Sequence, residues 1–196
     1  KSFLDSATDL QFPGVTTGTT SKPKSKVAYT EGLNIGYRWY DAKQKDASST
    51  CYTSASASAN PCVAFPFGHG LSYTTFSVTP SALEVNSGKY DVKFRVANQT
   101  AKEGEEVVQV YLELPALASS VGEQTGATIT QPPKRLVGFK KLKVAANGSV
   151  SGTITIDPNA SNHPLSVWNQ SSKKWEIPSG TFKVWVGSSS SPKDLK

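Results

Sequence analysis

The sequence predicts an all-β fold: an immunoglobulin- or fibronectin III-like two-sheet sandwich that follows an irregular N-terminal extension. Three observations predict it. Apolar and polar residues alternate strictly at 90–96, and apolar residues recur at every second position of 182–186, which is typical of half-buried strands. Turn residues recur about every ten positions, the spacing of short sandwich strands. No segment has a convincing helical period.

The first part of the chain is irregular in composition. Residues 1–26 mix Gly, Pro and polar residues and are predicted as loop or linker. Residues 27–40 are rich in β-branched and aromatic residues, and they are predicted as a strand bent at its glycines. Residues 41–62 form a polar excursion, and residues 63–76 are expected to be an irregular crossing segment.

The pattern becomes regular after this segment, and seven or so short strands are predicted. The apolar residues that mark them are Phe76 and Val78, Leu83 and Val85, Tyr90 to Val96, Val107 to Leu114, Leu136 to Val144, Val150 to Ile156, Leu165 to Trp168, Trp175 and Ile177, and Phe182 to Val186. Residues 116–131 are expected to be a long loop and 187–196 a polar tail. Three tryptophans are expected in the core or against turns: Trp168, Trp175 and Trp185.

Composition narrows the class of protein. The net charge is +6, yet only three of the 21 basic residues are arginine and the lysines are scattered, so nucleic-acid binding is not expected. No apolar run has the roughly 18–20 residues that a membrane span needs. The chain starts with Lys1 and contains no methionine, so we expect it to be a piece of a longer protein.

The only cysteines are Cys51 and Cys62, separated by a short polar stretch. This pair predicts one disulfide and an oxidising compartment, so the protein is expected to be secreted or periplasmic. The alternative is a metal site, but two thiolates need two more ligands. The only histidines, His69 and His163, have no paired spacing, so no metal is expected.

Five motifs in a fixed order resemble those of family 3 glycoside hydrolases, the β-glucosidase group. The motifs are YTEGLNIGYRWYDA at 29–42, FPFGHGLSYTTF at 65–76, EGEEVVQVYLELP at 103–115, PPKRLVGFKKLKV at 132–144 and IPSGTFKVWVGSSS at 177–190. They cover nearly the whole chain. The cysteine-bearing excursion at 43–62 departs from the pattern, since many members of the family lack it.

The resemblance implies a domain organisation and an activity. Residues 1–71 are expected to be the end of an α/β sandwich domain with a linker, and residues 72–196 a fibronectin type III-like β-sandwich. The whole enzyme is expected to hydrolyse β-glycosidic bonds in gluco-oligosaccharides. In the resembled family the nucleophilic Asp and the acid/base Glu lie before this stretch, so no catalytic residue and no cofactor is expected here. The expected partners are the N-terminal catalytic domains and, through them, a β-glucoside.

A set of mostly aromatic residues is expected to pack against those catalytic domains. The expected interface residues are Tyr29, Glu31, Tyr37, Arg38, Trp39, Phe65, Phe67 and Tyr73. Without the catalytic domains, the aromatic members should form an exposed patch. Glu31 is interpreted as a partner of the backbone or of Arg38 rather than as a group that acts on substrate. Stacking of Trp39 and Tyr40 on a sugar is the alternative to interface packing.

A second function remains open: a free-standing fibronectin-like module that binds carbohydrate or another protein. The GYR segment at 36–38 favours the first hypothesis, because it resembles part of a neighbouring domain and an isolated module has no need of it.

Overall fold

A computed structural model describes residues 32–53, 60–115 and 131–196, together with the backbone of two short strands between 116 and 130. Tyr29, Glu31 and the predicted linker at 1–26 lie outside the described residues. The elements in chain order are α1 (Tyr37–Lys45), β1 (Phe76–Asn86), β2 (Lys89–Asn98), β3 (Gly104–Glu113), β4 (Glu123–Gln124), β5 (Ala127–Thr128), β6 (Arg135–Val144), β7 (Ser149–Ile156), β8 (Val167–Asn169), β9 (Lys174–Glu176), β10 (Lys183–Gly187) and a 3₁₀ turn (Pro192–Asp194).

The strands form two three-stranded antiparallel sheets, and the predicted all-β fold is confirmed. The first sheet has the order β1-β2-β7, and the second has the order β10-β3-β6. Two shorter hairpins, β4-β5 and β8-β9, accompany them. The two predicted strands around Pro80 are one strand, β1, whose register with β2 shifts between Pro80 and Ala82. A bulge is where a strand tolerates proline, because proline has no amide hydrogen to donate.

The core lies between the two sheets. Alternate residues of the central strands face inward, as the predicted alternation requires. The buried members are Val92, Phe94 and Val96 of β2, Val108, Val110 and Leu112 of β3, Val144, Ile154, Ile156, Leu165 and Val186. Phe94, Val96, Val108 and Val110 have no exposed surface. A closed apolar core of this kind is what stabilises the sandwich.

A helix occupies part of the segment that the sequence predicts as strand. Residues Tyr37–Lys45 are helical, so the expectation of an all-strand chain without helices is wrong at this point. Gly36 precedes the helix with a φ of 61°, a conformation that glycine adopts without strain. The helix buries Trp39, and this packing outweighs the weak β propensity of an aromatic segment. Among the described helices, none is long and apolar enough to cross a membrane.

The C-terminal residues are docked rather than forming the expected polar tail. Ser189, Ser190 and Ser191 are buried, and the amide of Lys196 donates to the carbonyl of Val186 over 3.0 Å. The carbonyl of Lys196 accepts from the amide of Val186 over 2.9 Å. Burial of backbone demands such partners, and a small polar sequence carries no signal for them.

Of the three tryptophans expected in the core or against turns, two flank the turn of a hairpin and lie outside the core. Trp168 and Trp175 lie directly opposite each other in the β8-β9 hairpin and are 38% and 48% exposed. Trp185 is half-buried on β10, where it pairs with Tyr111.

Candidate functional site: the junction on the outer face of the second sheet

The outer face of the second sheet, the face turned away from the core, is covered by other parts of the chain. Gln109 and Tyr111 alternate with the core residues of β3 and therefore lie on this outer face. Both are nevertheless buried, Gln109 at 4% exposure and Tyr111 at 0%. The segment before β1 and the segment after β10 supply the cover. We call this contact region the junction.

A chain of hydrogen bonds satisfies the polar atoms beneath this cover. The hydroxyl of Tyr111 donates to Oε1 of Gln109, and Nε2 of Gln109 donates to the carbonyl of Ser188 over 2.9 Å. Burial raises the pKa of Tyr111 well above its usual value, so the phenol stays protonated and remains a donor. These two hydrogen bonds link β3 to the segment that follows β10.

Tyr37, the first residue of α1, attaches the helix to the sheet. Its hydroxyl accepts the amide hydrogen of Leu136 over 2.7 Å. Its ring meets the ring of Tyr111 edge-on at 5.7 Å and stacks on Phe67 at 5.4 Å. One aromatic side chain therefore connects the helix, the sheet and the segment that leads into β1.

A buried ion pair provides a second attachment. Nζ of Lys134 lies 2.7 Å from Oδ2 of Asp41 on α1, and both side chains are only 11% exposed. Burial raises the pKa of Asp41, while Lys134 acts in the opposite direction and keeps the carboxylate charged more easily. Such a pair mainly fixes position, because the cost of dehydrating both ions offsets most of their attraction.

A close approach of backbone to the sheet completes the junction. The amide of Ser190 donates to the carbonyl of Phe67 over 2.8 Å. Gly68 follows with a φ of +88°, and a Cβ there would overlap the side chain of Gln109 and the carbonyl of Ser188. Glycine is therefore required at position 68 for two reasons: the positive φ, and the lack of space for a Cβ.

Next to the junction, the segment that leads into β1 exposes a group of large apolar side chains. Phe65 is 74% exposed, Phe67 51%, Leu71 95% and Tyr73 93%. We call these four residues the docking face. Phe67 stacks on Tyr37, and its carbonyl accepts a hydrogen bond from Ser190, so this part of the docking face is attached to the sandwich. Soluble monomers rarely expose apolar patches of this kind without a partner.

The predicted interface residues fall into different environments. Phe65, Phe67 and Tyr73 are exposed as expected, whereas Trp39 is 8% exposed, so the expectation of an exposed patch is wrong for Trp39. Tyr37 and Arg38 are half-buried, and Tyr37 contacts this chain's own sheet. Contact of any of these residues with catalytic domains stays a prediction.

The sequence predicts none of Gln109, Tyr111, Asp41, Lys134 or Gly68 as members of the junction. The sequence does contain a signal for the burial of Tyr111, because the stretch VVQVYL places apolar residues on both faces of β3. Strands buried on both faces have this composition.

Cys51 and Cys62 form a disulfide, with their Cα atoms 5.4 Å apart. Cys51 is 1% exposed. Nδ2 of Asn60 donates to the carbonyl of Tyr40 over 2.8 Å, which ties the cysteine-bearing excursion to α1. The disulfide thus closes a loop that begins a few residues after the end of α1.

Two carboxylates and Trp185 line one pocket of about 350 Å³. The carboxylates belong to Asp41 and Glu113, and each has a lysine partner: Lys134 at 2.7 Å and Lys183 at 3.2 Å respectively. A retaining glycosidase needs one carboxylate free as nucleophile and one carboxylic acid as proton donor. Both of these carboxylates have lysine partners, and neither lysine contact supplies the apolar surroundings that would keep a carboxylic acid protonated as a donor. In the part of the chain that the structure describes, no cluster of His, Cys, Asp and Glu is suited to hold a metal ion.

The comparisons with known proteins agree with the fold. Residues 106–190 match the family described as the fibronectin type III-like domain. The chain is 32% identical, over 85% of its length, to the probable beta-glucosidase K of Emericella nidulans, and it covers 16% of that protein. The solved structure of DesR, a beta-glucosidase from Streptomyces venezuelae in complex with D-glucose, superposes on 86% of the chain with a TM-score of 0.63 and 31% identity. The alignment covers 18% of the DesR chain.

A GH3 beta-glucosidase from Bifidobacterium adolescentis superposes on 95% of the chain with a TM-score of 0.67 and 26% identity, over 22% of that structure. The described sandwich is therefore a fibronectin type III-like domain. Most of the chain is similar to part of these beta-glucosidases, as its five motifs predict, and this similarity is consistent with the C-terminal region of a family 3 glycoside hydrolase. The chain spans only 16% of the length of beta-glucosidase K, and only 21% of the length of the probable beta-glucosidase D of Aspergillus niger, to which it is 31% identical over 86% of its own length.

Gly68 and Gly70, in the segment that leads into β1, provide a matched test of the packing at the junction. We expect Gly68→Ala to lower the free energy of unfolding by about 1–3 kcal/mol, because alanine is strained at this φ and has no space. Gly70→Ala is the control, since a Cβ at Gly70 meets nothing within 4 Å. Equal stability of the two variants in urea denaturation would show that the segment does not pack on Gln109.

The ion pair predicts a pH-dependent effect. Lys134→Ala leaves the Asp41 carboxylate buried without its cation, so we expect a loss of about 3 kcal/mol at pH 7. The raised pKa of Asp41 rises further in this variant, so its carboxyl takes up a proton as the pH falls and the penalty disappears. The difference in unfolding free energy from the parent chain should therefore be smaller at pH 4 than at pH 7. A difference independent of pH contradicts the pairing.

Proposed function

We propose that this chain is the C-terminal part of a β-glucosidase-type glycoside hydrolase and that it stabilises the catalytic domains of the same enzyme. The whole enzyme hydrolyses β-glycosidic bonds with retention of configuration, and its catalytic Asp and Glu lie outside this chain. The relatives bear the name beta-glucosidase, and this chain corresponds to a small share of each of them.

The observation that carries the proposal is the docking face. Phe65, Leu71 and Tyr73 are each more than 70% exposed, although the neighbouring backbone is held in place by hydrogen bonds to the sandwich. Covering a large apolar side chain contributes about 1.5–3 kcal/mol. A face of four such residues is therefore a substantial source of stability once the catalytic domains cover it.

The arrangement of the acidic residues supports a non-catalytic role. The carboxylates of Asp41 and Glu113 are neutralised by lysines, as described above. Other acidic residues, such as Glu84 and Glu105, form exposed ion pairs with lysines of neighbouring strands. Pairs of this kind belong to a solvated sheet surface.

We also propose that the enzyme works in an oxidising compartment, as a secreted or periplasmic protein. The Cys51–Cys62 disulfide supports this, since disulfides persist mainly outside the cytosol. The alternative of a free-standing module that binds carbohydrate or protein is less well supported, because the proteins that this chain resembles are several times longer and contain it as a small part.

The proposal is tested by activity and stability together. The purified chain should not hydrolyse an aryl β-glucoside. In the full-length enzyme, Tyr73→Ser should lower the free energy of unfolding by about 2 kcal/mol through loss of buried aromatic surface, with KM unchanged.

Val85→Ser is the matched control, since Val85 is 71% exposed on β1 and lies outside the docking face. Turnover by the isolated chain that Glu31→Gln abolishes would place a catalytic acid here and overturn the proposal. Equal thermal inactivation of Tyr73→Ser and Val85→Ser enzymes would show that the face is not covered.

A further inference from the structure

A cleft of about 460 Å³ lies on the sandwich beside the β8-β9 hairpin and away from the docking face. It is lined by both basic and aromatic side chains. Its lining includes Arg38, Arg135, Gln131, Gln170, Trp168 and Trp175. None of the described residues that line the cleft is acidic.

The two arginines give the cleft a positive charge that no described residue of its lining compensates. Neither forms an ion pair with a carboxylate in the described part of the chain. Nη2 of Arg135 donates to the carbonyl of Ser166 over 3.0 Å, but its Nε is buried without an acceptor. Burial, followed by the charge of Arg38, lowers the pKa of Arg135 to about 10. Two guanidinium groups without a described carboxylate partner favour an anionic ligand, and guanidinium groups match carboxylates best.

The aromatic side of the cleft is partly open, because Trp168 is 38% and Trp175 48% exposed. The rings of Trp168 and Trp175 lie 5.6 Å apart at an interplanar angle of 70°, and His163 stacks on Trp175 at 4.5 Å. Nε1 of Trp168 donates to Oε1 of Gln170 over 2.9 Å, which fixes the indole. Exposed indole surface suits the apolar C–H face of a sugar ring, and the neighbouring amide groups suit its hydroxyls.

We propose that this cleft is a binding site for a sugar acid, a hexuronate whose carboxylate contacts Arg38 and Arg135 and whose ring packs on the tryptophan pair. The two arginines would bind the carboxylate of the hexuronate, and the two indoles would pack against its sugar ring. The choice of a sugar rather than another carboxylate rests on the proposed function, since the chain belongs to an enzyme that handles sugars. A carboxylate side chain from the rest of the enzyme is the competing occupant.

The test is a titration of the purified chain, followed by tryptophan fluorescence and by calorimetry. The probes are sodium glucuronate, methyl β-glucoside as the neutral ring, and sodium acetate as the carboxylate without a ring. We expect glucuronate to bind at least about tenfold more tightly than either control, with an affinity that falls as salt is added.

Variants separate the two halves of the site. Arg135→Gln and Trp175→Ala should each weaken glucuronate binding at least about tenfold, whereas Arg95→Gln, an exposed arginine on β2, should leave it unchanged. Arg38→Gln provides a second removal of charge if Arg135→Gln fails to fold, because Arg38 lies outside the sandwich strands.

Three outcomes would overturn the inference. Equal binding of the neutral glucoside would make the arginines irrelevant, and equal binding of acetate would make the tryptophans irrelevant. Absence of binding by all three probes would show that the cleft does not bind a hexuronate. None of these outcomes bears on hydrolysis, so the proposed function is tested separately.

Discussion

The burial of Tyr111 is the constraint on which the rest of the structure depends. In a free two-sheet sandwich the outer face of β3 would meet water, yet Tyr111 has no exposed surface and its hydroxyl bonds to buried Gln109. Removing such groups from water is favourable only when their polar atoms are satisfied and their apolar surface is covered. The helix α1 and the segment after β10 meet both needs, so they are parts of the folded unit.

This constraint connects the sandwich to the docking face. Tyr37 reaches from α1 to the Tyr111 ring and also stacks on Phe67, which belongs to the docking face. Gly68 brings the following backbone against Gln109. A surface built on such contacts is presented in one orientation, which lowers the entropic cost of the contact proposed for it.

Much of the sandwich could be predicted from the sequence, because alternation at strands such as Tyr90–Val96 reports directly which face is buried. The helix and the junction could not. Trp39 and Tyr37 lie in a segment whose composition favours a strand, and only contact with a distant sheet makes the helix preferable. The ion pair joins Asp41 to Lys134, 93 positions apart, and no local pattern marks such a pairing. The division of the chain at residue 71 stays a prediction, although α1 packs on the sandwich.

The central claim is that α1 and the sandwich form one cooperative unit. Amide hydrogen exchange of the purified chain tests it most directly, because it measures the free energy of opening at each residue. The account predicts that amides within α1, from Asp41 to Lys45, share the strong protection of β3 and lose it together with β3 as urea is added. Rapid exchange in α1 while β3 remains protected would show that the helix opens independently, and it would contradict the account.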